Sequence, residues 1–520
     1  MIFKSPDPDI QIPDIALTPF VLERAARLHD KVAIVDAPSG RSYTYGQIAD
    51  GVRRLAAGLH AKGFRKGDVL AIMSPNVPEY PIAFHGVALA GGINTTLNPT
   101  YTADEIVYQL NDSHARLLLT VPPLIDKAQD AAARAKVEEI LVFGEAEGGT
   151  PFESLLSGGD QPRVHIDPAE DLVALPYSSG TTGFSKGVSL THRNLVANLI
   201  QTTAQLQIKE DEKWMAFLPF FHIYGMTVIM NQGLRNGVTL VTLPRFELEP
   251  CLKAVQEHKV TRFFLVPPIV VMLAKSPVVD NYDLSSVTRA FSGAAPLDAE
   301  TAELVSKRIG CRLSQGYGLT ETSPVTHVVP DRVRKAVPGS VGTLVPNTEC
   351  KIVDVATGKE LGPHEDGELW MRGPQVMKCY LNNPQATQSS IDEDGFFHSG
   401  DIGHIDERDQ FFIVDRLKEL IKYKGFQVAP AELEALLLSH PKVADVAVIG
   451  VRDEEGEEVP KAFIVVREEV SGQEIMDFVA AHVAPHKKVR RVKVIEQIPK
   501  SPTGKILRRV LRDREKAAAR

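Results

Sequence analysis

The chain has 520 residues, of which 43% are hydrophobic and 24% are charged, and its formal net charge is −8. This length exceeds one small core, so the composition predicts a globular protein with at least two folding units. The acidic balance argues against a nucleic-acid partner, because binding a phosphate backbone normally requires a basic surface.

The four cysteines are widely spaced and form no C-x-x-C pair, which argues against zinc and disulfide frameworks and favours a reducing compartment. Residues 1–14 carry acids and prolines where a secretory signal has its apolar core, so a cytoplasmic location is expected. The longest apolar run, Phe263–Ala274, is short of a membrane span and contains Pro267 and Pro268. We therefore expect buried core there, no membrane partner, and a monomer or weak homodimer.

The first part of the chain alternates helical and strand patterns. Residues 43–63 have helical periodicity ending at Gly63, and residues 68–75 form an apolar run typical of a buried strand. The same alternation returns over residues 81–92 and 115–123. This pattern predicts an α/β domain with a largely parallel sheet.

The alternation of helical and strand patterns ends at about Gly342. Three short strand patterns separated by turn residues predict a β-rich subdomain; they are residues 349–355, 367–373 and 411–416. Beyond Asp415, two helical and two strand patterns predict a compact α+β domain; they are residues 429–441, 443–451, 461–468 and 471–483. Ser471 and Glu474 fit an N-terminal helix cap. Residues 506–520 suggest a solvated surface helix.

The segment LPYSSGTTGFSKGVSLTH, residues 175–192, poses the main functional question. Strand patterns lie on both sides of it, and Ser185 rather than glycine precedes Lys186, so it is not a Walker loop. Its glycines leave backbone N–H groups exposed, and together with the hydroxyls and the one ammonium these groups can surround and bind an anion. The alternative interpretation is a flexible hairpin, because glycine and serine are common turn residues. The candidate phosphate-binding residues are Ser178, Ser179, Gly180, Thr181, Thr182 and Lys186.

The complete string resembles the phosphate loop of adenylate-forming enzymes, the superfamily of acyl-CoA synthetases, peptide-synthetase adenylation domains and beetle luciferases. Ser185 stands where that family commonly has proline. The segment QGYGLTETSPV, residues 315–325, resembles a second motif of the superfamily. The resemblance implies that Tyr317 stacks on adenine, that Thr320 contacts the α-phosphate and that Glu321 holds Mg²⁺, with Gln315 and Gly316 also at the nucleotide.

Two later motifs extend the resemblance to almost the whole chain. In HSGDIGHID and VDRLKELIKYKGFQV, the resemblance implies that Asp401 and Arg416 bind the ribose hydroxyls. It also places Lys422 and Gln427 at the nucleotide. In PKSPTGKILRR, Lys505 matches the catalytic lysine of the superfamily.

Within the superfamily, LPFFHIYGM, SGAAPL and GELWMRGPQVMKCYLNNPQAT look like 4-coumarate:CoA ligases and their bacterial relatives. Trp370 stands where plant enzymes commonly have cysteine. The resemblance implies an acyl pocket that is largely small and apolar, with Val228 where plant enzymes often have serine and with His222 orienting the carboxylate. The pocket residues are His222, Tyr224, Val228, Gly293, Ala294, Gly316, Pro324 and Val325.

The implied activity joins a cinnamate-type aromatic acid to CoA through an acyl-adenylate, with ATP and Mg²⁺ required and AMP and pyrophosphate released. The implied domains are residues 1–414 and a mobile unit of residues 420–520, joined by a hinge over 415–419. The residues implied for the hinge are Asp415 and Lys418, and those implied for CoA are Arg245, Lys424 and Gly425. A medium-chain fatty acid, or a carrier protein in place of CoA, remains open, as does a nucleotide-binding protein without turnover.

Overall fold

The structure is a computed structural model that describes all residues except 157–158, 160, 179–184, 296, 334–335, 424–425, 454–457, 502–503 and 519–520. Its strands are β1 (Phe3–Lys4), β2 (Val32–Asp36), β3 (Ser42–Thr44), β4 (Val69–Met73), β5 (Ile93–Leu97), β6 (Ala115–Thr120), β7 (Glu139–Val142), β8 (Thr150–Pro151), β9 (Leu172–Ser178), β10 (Lys186–Thr191), β11 (Lys213–Ala216), β12 (Thr239–Thr242), β13 (Arg262–Leu265), β14 (Arg289–Ser292), β15 (Arg312–Gly318), β16 (Val325–Val328), β17 (Thr343–Leu344), β18 (Glu349–Val353), β19 (Gly367–Arg372), β20 (Cys379–Tyr380), β21 (Phe397–Ile405), β22 (Phe411–Arg416), β23 (Ile421–Tyr423), β24 (Phe426–Val428), β25 (Val443–Arg452), β26 (Glu458–Val466) and β27 (Arg491–Val494).

The α-helices are α1 (Leu17–Val21), α2 (Tyr45–Ala61), α3 (Tyr80–Leu89), α4 (Ala103–Asp112), α5 (Ile125–Ala135), α6 (His192–Gln205), α7 (Gln232–Asn236), α8 (Leu248–His258), α9 (Pro267–Lys275), α10 (Ala299–Ile309), α11 (Pro384–Ser390), α12 (Pro430–Ser439), α13 (Gly472–His482) and α14 (Arg508–Ala518).

Two large sheets form most of the N-terminal part. The first has the strand order β20-β10-β9-β5-β4-β6-β7-β8, and the second has the order β17-β16-β15-β14-β13-β11-β12-β2-β3. Their central strands pair in parallel, as the alternating helix and strand patterns predicted. A third, antiparallel sheet has the order β1-β18-β19-β21-β22 and is the predicted β-rich subdomain.

A smaller C-terminal domain follows, with mixed strands and helices. β25 pairs antiparallel with β26, which pairs parallel with β27, and α12 and α13 accompany this sheet. Its main apolar core, which includes Ile421, Leu433 and Val448, is separate from the large core around Trp214. The predicted fold class, a large α/β domain with a small α+β domain, is therefore confirmed, while the boundaries at 414 and 420 and the mobility remain predictions.

Helix starts near the site follow from local capping chemistry. The Thr191 hydroxyl accepts the N–H of Asn194, whose side chain accepts the N–H of Thr191, so α6 begins directly after β10. The predicted cap at Ser471 is also present, because its hydroxyl accepts the N–H of Glu474. These caps fix where the chain turns from strand to helix.

The apolar run 263–274 is largely buried core, as predicted, and it is divided between β13, which ends at Leu265, and α9, which starts at Pro267, where the first turn tolerates proline. Met272 on this helix is 40% exposed. One other sequence interpretation needs correction. The C-terminal helix α14 is not merely solvated, since Leu511 is fully buried and Arg508 forms an ion pair with Glu434 at 2.6 Å. Among the described residues, no helix has the length and apolar character needed to cross a membrane.

Candidate active site

The candidate phosphate loop joins neighbouring strands, as expected. Ser178 ends β9, Lys186 begins β10, and the two residues face each other across the antiparallel pair. The loop therefore starts and ends at one place on the sheet edge. Four residues assigned to it by sequence lie outside the described residues, namely Ser179, Gly180, Thr181 and Thr182.

Glu321 lies directly beside this strand pair. It sits in a 3-10 turn, Thr320–Thr322, that follows β15, and it is only 8% exposed. The Ser178 hydroxyl donates to Glu321 Oε1 at 2.7 Å, and the Tyr380 hydroxyl donates to the same oxygen at 2.8 Å. Among the described residues, none donates a hydrogen bond to Glu321 Oε2. Thr320, at the start of the turn, is partly exposed.

The Lys186 ammonium lies 4.2 Å from the centroid of the Tyr380 ring. Burial lowers the pKa of Lys186, and the charge of Glu321 opposes that fall. A cation over an aromatic face gains electrostatic attraction from the ring. Lys186 is therefore held over the Tyr380 ring, where the charge of Glu321 acts on it.

The predicted nucleoside residues form a second cluster. Asp401 on β21 faces Arg416 on β22 in the strand register, and Arg416 Nε lies 3.4 Å from Asp401 Oδ1. The Tyr317 hydroxyl donates to Asp401 Oδ2 at 2.5 Å. Burial raises the pKa of the Asp401 carboxyl, and the Arg416 charge opposes the rise. The Asp401 carboxylate thus contacts both the Tyr317 hydroxyl and the Arg416 guanidinium. Together these three groups are suited to binding a nucleoside.

Trp370 is linked to this cluster by hydrogen bonds through Glu368. The Trp370 indole N–H donates to Glu368 Oε2 at 2.9 Å, and Glu368 Oε1 accepts the N–H of Gly400, which precedes Asp401, at 2.9 Å. The indole also stacks on the His398 ring, with 3.6 Å between centroids. Trp370, which stands where plant enzymes commonly have cysteine, is therefore connected through Glu368 to the backbone beside Asp401, the candidate for binding the ribose.

Lys505 lies on a loop that packs back onto the N-terminal domain. Its N–H donates to the Ser501 hydroxyl at 3.1 Å, and Lys500 pairs with Asp445 at 2.7 Å, which anchors the loop in the C-terminal domain. A Cβ on Gly504, whose φ is +77°, would lie 2.8 Å from Pro268 Cγ, so the loop contacts the start of α9 closely. Glycine permits both this conformation and this approach.

The charge of Lys505 is coupled to residues of both candidate clusters. Burial and the charge of Arg416 lower the pKa of Lys505 to about 8. Three carboxylates oppose the fall, and they are Asp401, Glu419 and Glu321. Burial and then the Lys505 charge lower the pKa of His222 to about 4. A single ammonium therefore interacts with residues predicted for nucleotide, metal and acid.

His222 is neutral at physiological pH, and its tautomer is defined by one contact. The Tyr224 N–H donates to His222 Nδ1 at 3.2 Å, so the proton of the neutral ring lies on Nε2. Nε2 can then donate a hydrogen bond to a carboxylate. The orienting role that the sequence interpretation gave to His222 requires such a donor and stays a prediction.

The predicted acyl pocket is built around a π-helix, Tyr224–Asn231, which carries Tyr224 and Val228. Such helices occur often at functional sites. The Tyr224 ring packs edge-on against Phe291, and a Cβ on Gly293 would lie 3.5 Å from the Tyr224 ring. A Cβ on Gly316 would lie only 2.4 Å from Phe291, so glycine is required there. The other assigned residues differ in exposure: Val228, Pro324 and Val325 are buried, whereas Ala294 is exposed.

Several predicted residues are not brought into these clusters. The Arg245 side chain is 82% exposed and pairs with Glu247, and the Lys422 side chain is exposed. Gln315 is buried, and its amide donates to the Leu297 carbonyl at 3.4 Å. Gln427 has only its backbone described, in β24, while Lys424 and Gly425 lie outside the described residues.

The proposed hinge residues differ from each other. Asp415 is buried at the end of β22, where its carboxylate accepts the N–H groups of Arg416 at 2.6 Å and Ala431 at 2.9 Å. Burial raises the pKa of Asp415, and the charge of Arg508 opposes the rise. Lys418 is exposed in the following turn. Asp415 thus accepts hydrogen bonds from one backbone N–H inside the predicted hinge and from one beyond it.

Sequence reasoning missed Tyr380. It lies in the segment CYLNNPQAT, which was included in the resemblance, but its hydroxyl was not assigned to the site. The available signal was a tyrosine at the start of a short strand pattern, which does not reveal a contact with a residue 59 positions away.

Comparison with known families identifies the class. The AMP-binding enzyme family matches residues 21–381, and the AMP-binding enzyme C-terminal domain matches residues 432–505. The chain belongs to the AMP-binding enzymes, the adenylate-forming superfamily that the motifs resembled.

Comparison with individual proteins shows which members of this family the chain is similar to. The chain is 43% identical to 4-coumarate--CoA ligase 1 of Petroselinum crispum, over 99% of this chain and 97% of the relative. Among solved structures, ATP-bound MatB from Rhodopseudomonas palustris matches with a TM-score of 0.88 and 29% identity, covering 98% of this chain and 100% of that one. O-succinylbenzoate coenzyme A synthetase from Bacillus subtilis, in complex with ATP and magnesium ion, matches with a TM-score of 0.82 and 27% identity, covering 95% and 99%.

Proposed function

We propose that this protein is an AMP-forming acid:CoA ligase that activates a 4-coumarate or cinnamate-type aromatic acid. The observation that carries the proposal is the electrostatic coupling of Lys505, whose charge affects the pKa of both Asp401 and His222. A single cation coupled to the ribose candidate and to the acid candidate suits a reaction that joins a carboxylate to a nucleotide phosphate. The 43% identity to a 4-coumarate--CoA ligase supports the aromatic acid and CoA.

In the first half-reaction, a carboxylate oxygen attacks the α-phosphorus of ATP, and the bond to the β-phosphate oxygen breaks to release pyrophosphate. Lys505 contacts the carboxylate and the α-phosphate and offsets the negative charge that builds there. His222 Nε2–H orients the carboxylate. Asp401 and Arg416 bind the ribose hydroxyls. Holding the acid and the nucleotide in one reactive geometry contributes much of the rate enhancement.

The residues around Glu321 fit a magnesium ion. Mg²⁺ prefers oxygen ligands and is commonly bound through one or two carboxylates together with substrate phosphates. Glu321 offers Oε2 for this purpose, and Ser178 and Tyr380 fix the carboxylate through Oε1. When bound, the ion supplies neutralisation of charge on the phosphates. Lys186 and the loop after Ser178 bind the β- and γ-phosphates.

In the second half-reaction, the CoA thiolate attacks the carbonyl of the acyl-adenylate, and the bond to AMP breaks. Lys505 has no role in this step and must leave space for the thiol. We propose that residues 420–520 rotate at the hinge 415–419, about Asp415 and Lys418, and bring Lys424 and Gly425 beside the CoA. Arg245, exposed on the N-terminal domain, contacts the CoA. Domain rotation of this kind is an established way to switch a site.

The remaining parts of the proposal concern the setting of the enzyme. We propose a monomer or weak homodimer in the cytoplasm, acting on small molecules without a nucleic-acid or membrane partner. Three of its four cysteines are buried and free, which suits a reducing compartment. Sedimentation over a range of protein concentrations tests the oligomeric state.

A substrate panel tests the function. Pyrophosphate release is measured with 4-coumaric, cinnamic, benzoic and octanoic acids, first without CoA and then with it, and the thioester is identified by mass. We expect pyrophosphate and a CoA thioester with the hydroxycinnamic acids at the lowest concentrations. Preference for octanoic acid would instead indicate a medium-chain fatty acyl-CoA synthetase. Adenylate that free CoA does not consume would indicate loading of a carrier protein.

A further inference from the structure

Tyr380 contacts two charged groups of the candidate site at the same time. Its hydroxyl donates to Glu321 Oε1 at 2.8 Å, and its ring lies 4.2 Å from the Lys186 ammonium. One side chain therefore connects the carboxylate proposed for the metal ion with the cation proposed for the β- and γ-phosphates. Neither motif that supplies those two charges includes it.

The hydroxyl of Tyr380 is the donor in its contact with Glu321, because an ionised carboxylate has only acceptor atoms. The Ser178 hydroxyl donates to the same carboxylate oxygen. Two donors on Oε1 fix the rotation of the carboxylate and leave Oε2 as the oxygen available to a cation. Hydrogen bonds to a charged acceptor are about twice as strong as neutral ones.

The backbone around Tyr380 is anchored on both sides. The Tyr380 N–H donates to the Thr387 hydroxyl at 3.0 Å, and the next residue, Leu381, donates to the Gly187 carbonyl at 2.8 Å. The Met377 N–H donates to the backbone carbonyl of Glu321 at 2.8 Å. Strand β20 is thus tied to β10, which begins with Lys186, and to the turn that carries Glu321. A small displacement of Tyr380 would change the distance between the two charges.

We propose that Tyr380 is a positioning residue that sets the geometry of Glu321 and Lys186 for magnesium-bound ATP. This inference rests on the proposed function, because it assumes that the site binds ATP. The phenol orients the carboxylate for the metal ion, and the ring holds the ammonium for the phosphates. The two contacts have separable consequences, since one needs the hydroxyl and the other needs only the aromatic face.

The test measures ATP binding by calorimetry without acid or CoA, once with MgCl₂ and once with EDTA. Tyr380→Phe keeps the ring and removes the donor. We expect it to reduce the gain in ATP affinity from MgCl₂ by about tenfold, as for a lost hydrogen bond to a charged group, with little change in EDTA. Tyr380→Leu removes both contacts, so we expect an additional weakening of about threefold in EDTA.

Tyr177→Phe is the matched control. Tyr177 lies on β9 next to Ser178, and its hydroxyl donates to the Asp112 carboxylate at 2.6 Å, so the substitution removes an equivalent hydrogen bond outside the site. We expect the control to retain the full gain from MgCl₂. An equal loss in the control, or an undiminished gain in Tyr380→Phe, would overturn the inference.

Folding and function are separated by two further measurements. Thermal unfolding reports whether each variant is folded, and Ser178→Ala, which removes the second donor on Oε1, must move the magnesium effect in the same direction. An unchanged effect in Ser178→Ala would count against the proposal even if Tyr380→Phe did not fold. Wild-type protein that bound no ATP would overturn the proposed function together with this inference. If the wild-type protein binds ATP but the gain in affinity from MgCl₂ is the same in the Tyr380 variants, the inference is overturned and the proposed function is not.

Discussion

The charge state of Lys505 makes a quantitative prediction about pH. Its pKa in the free protein is lowered to about 8, so it is about 90% charged at pH 7 and about 10% charged at pH 9. The carboxylic acid substrate is fully ionised throughout this range. If adenylate formation requires the charged lysine, kcat/KM for pyrophosphate release falls about tenfold between pH 7 and pH 9.

Bound ATP shifts the same titration. Its negative phosphates favour the charged lysine, so the pKa seen in kcat, which reports the loaded enzyme, lies above the pKa seen in kcat/KM. Lys505→Arg is the matched variant, because a guanidinium stays charged at every pH used. We expect its profile to be flat from pH 7 to pH 9, although its rate is lower.

The assay is pyrophosphate release at saturating and at limiting acid, from pH 6.5 to pH 9.5, with Lys505→Ala beside the other two proteins. Losing a cation that stabilises developing charge lowers the rate about 10²- to 10³-fold. Two results would refute the reasoning: a wild-type profile that stays level to pH 9, or a Lys505→Ala protein that forms adenylate at the wild-type rate.

Three further predictions follow from other parts of the chain. Gly316→Ala brings a methyl to 2.4 Å from Phe291 and should lower the free energy of unfolding by about 1–3 kcal/mol in urea titrations, whereas Gly472→Ala, whose Cβ meets its nearest neighbour at 3.5 Å, should not. Lys424→Glu should retain pyrophosphate exchange and lose thioester formation, and equal loss of both would argue against two domain orientations. Burial lowers the pKa of His85 to about 3, so below pH 6.5 the unfolded chain binds a proton that the folded chain does not. This residue alone therefore lowers the free energy of unfolding by about 1.4 kcal/mol per pH unit below pH 6.5, and His85→Gln should reduce the overall slope by that amount in unfolding measured between pH 6.5 and pH 5.

The sequence predicted those parts of the fold that local patterns determine. Periodicity located α2 and β4, turn residues located the β-rich subdomain, and the cap at Ser471 was read correctly from two residues. Hydrophobic periodicity and capping depend on near neighbours, so one sequence is enough to detect them. Resemblance then supplied residues whose proximity no local pattern encodes, such as Asp401 and Lys505.

Contacts between distant segments were the part that the sequence did not reveal. The hydrogen bond from Tyr380 to Glu321 depends on the edge strand β20 pairing with β10, and this pairing leaves no periodic signal in a two-residue strand. The docking of α14 depends on an ion pair between Arg508 and Glu434, which lie 74 positions apart. In the sequence, a charged helix with such a partner looks the same as a solvated one.

The stacking of Trp370 on His398 has a practical consequence. The chain contains two tryptophans, and the other, Trp214, is fully buried in the large core. Trp370 is joined through Glu368 to the backbone just before Asp401, and its indole lies flat against an imidazole. We expect occupancy of the ribose position to change the intrinsic fluorescence of the protein, and we expect Trp370→Phe, which keeps Trp214, to lose that change.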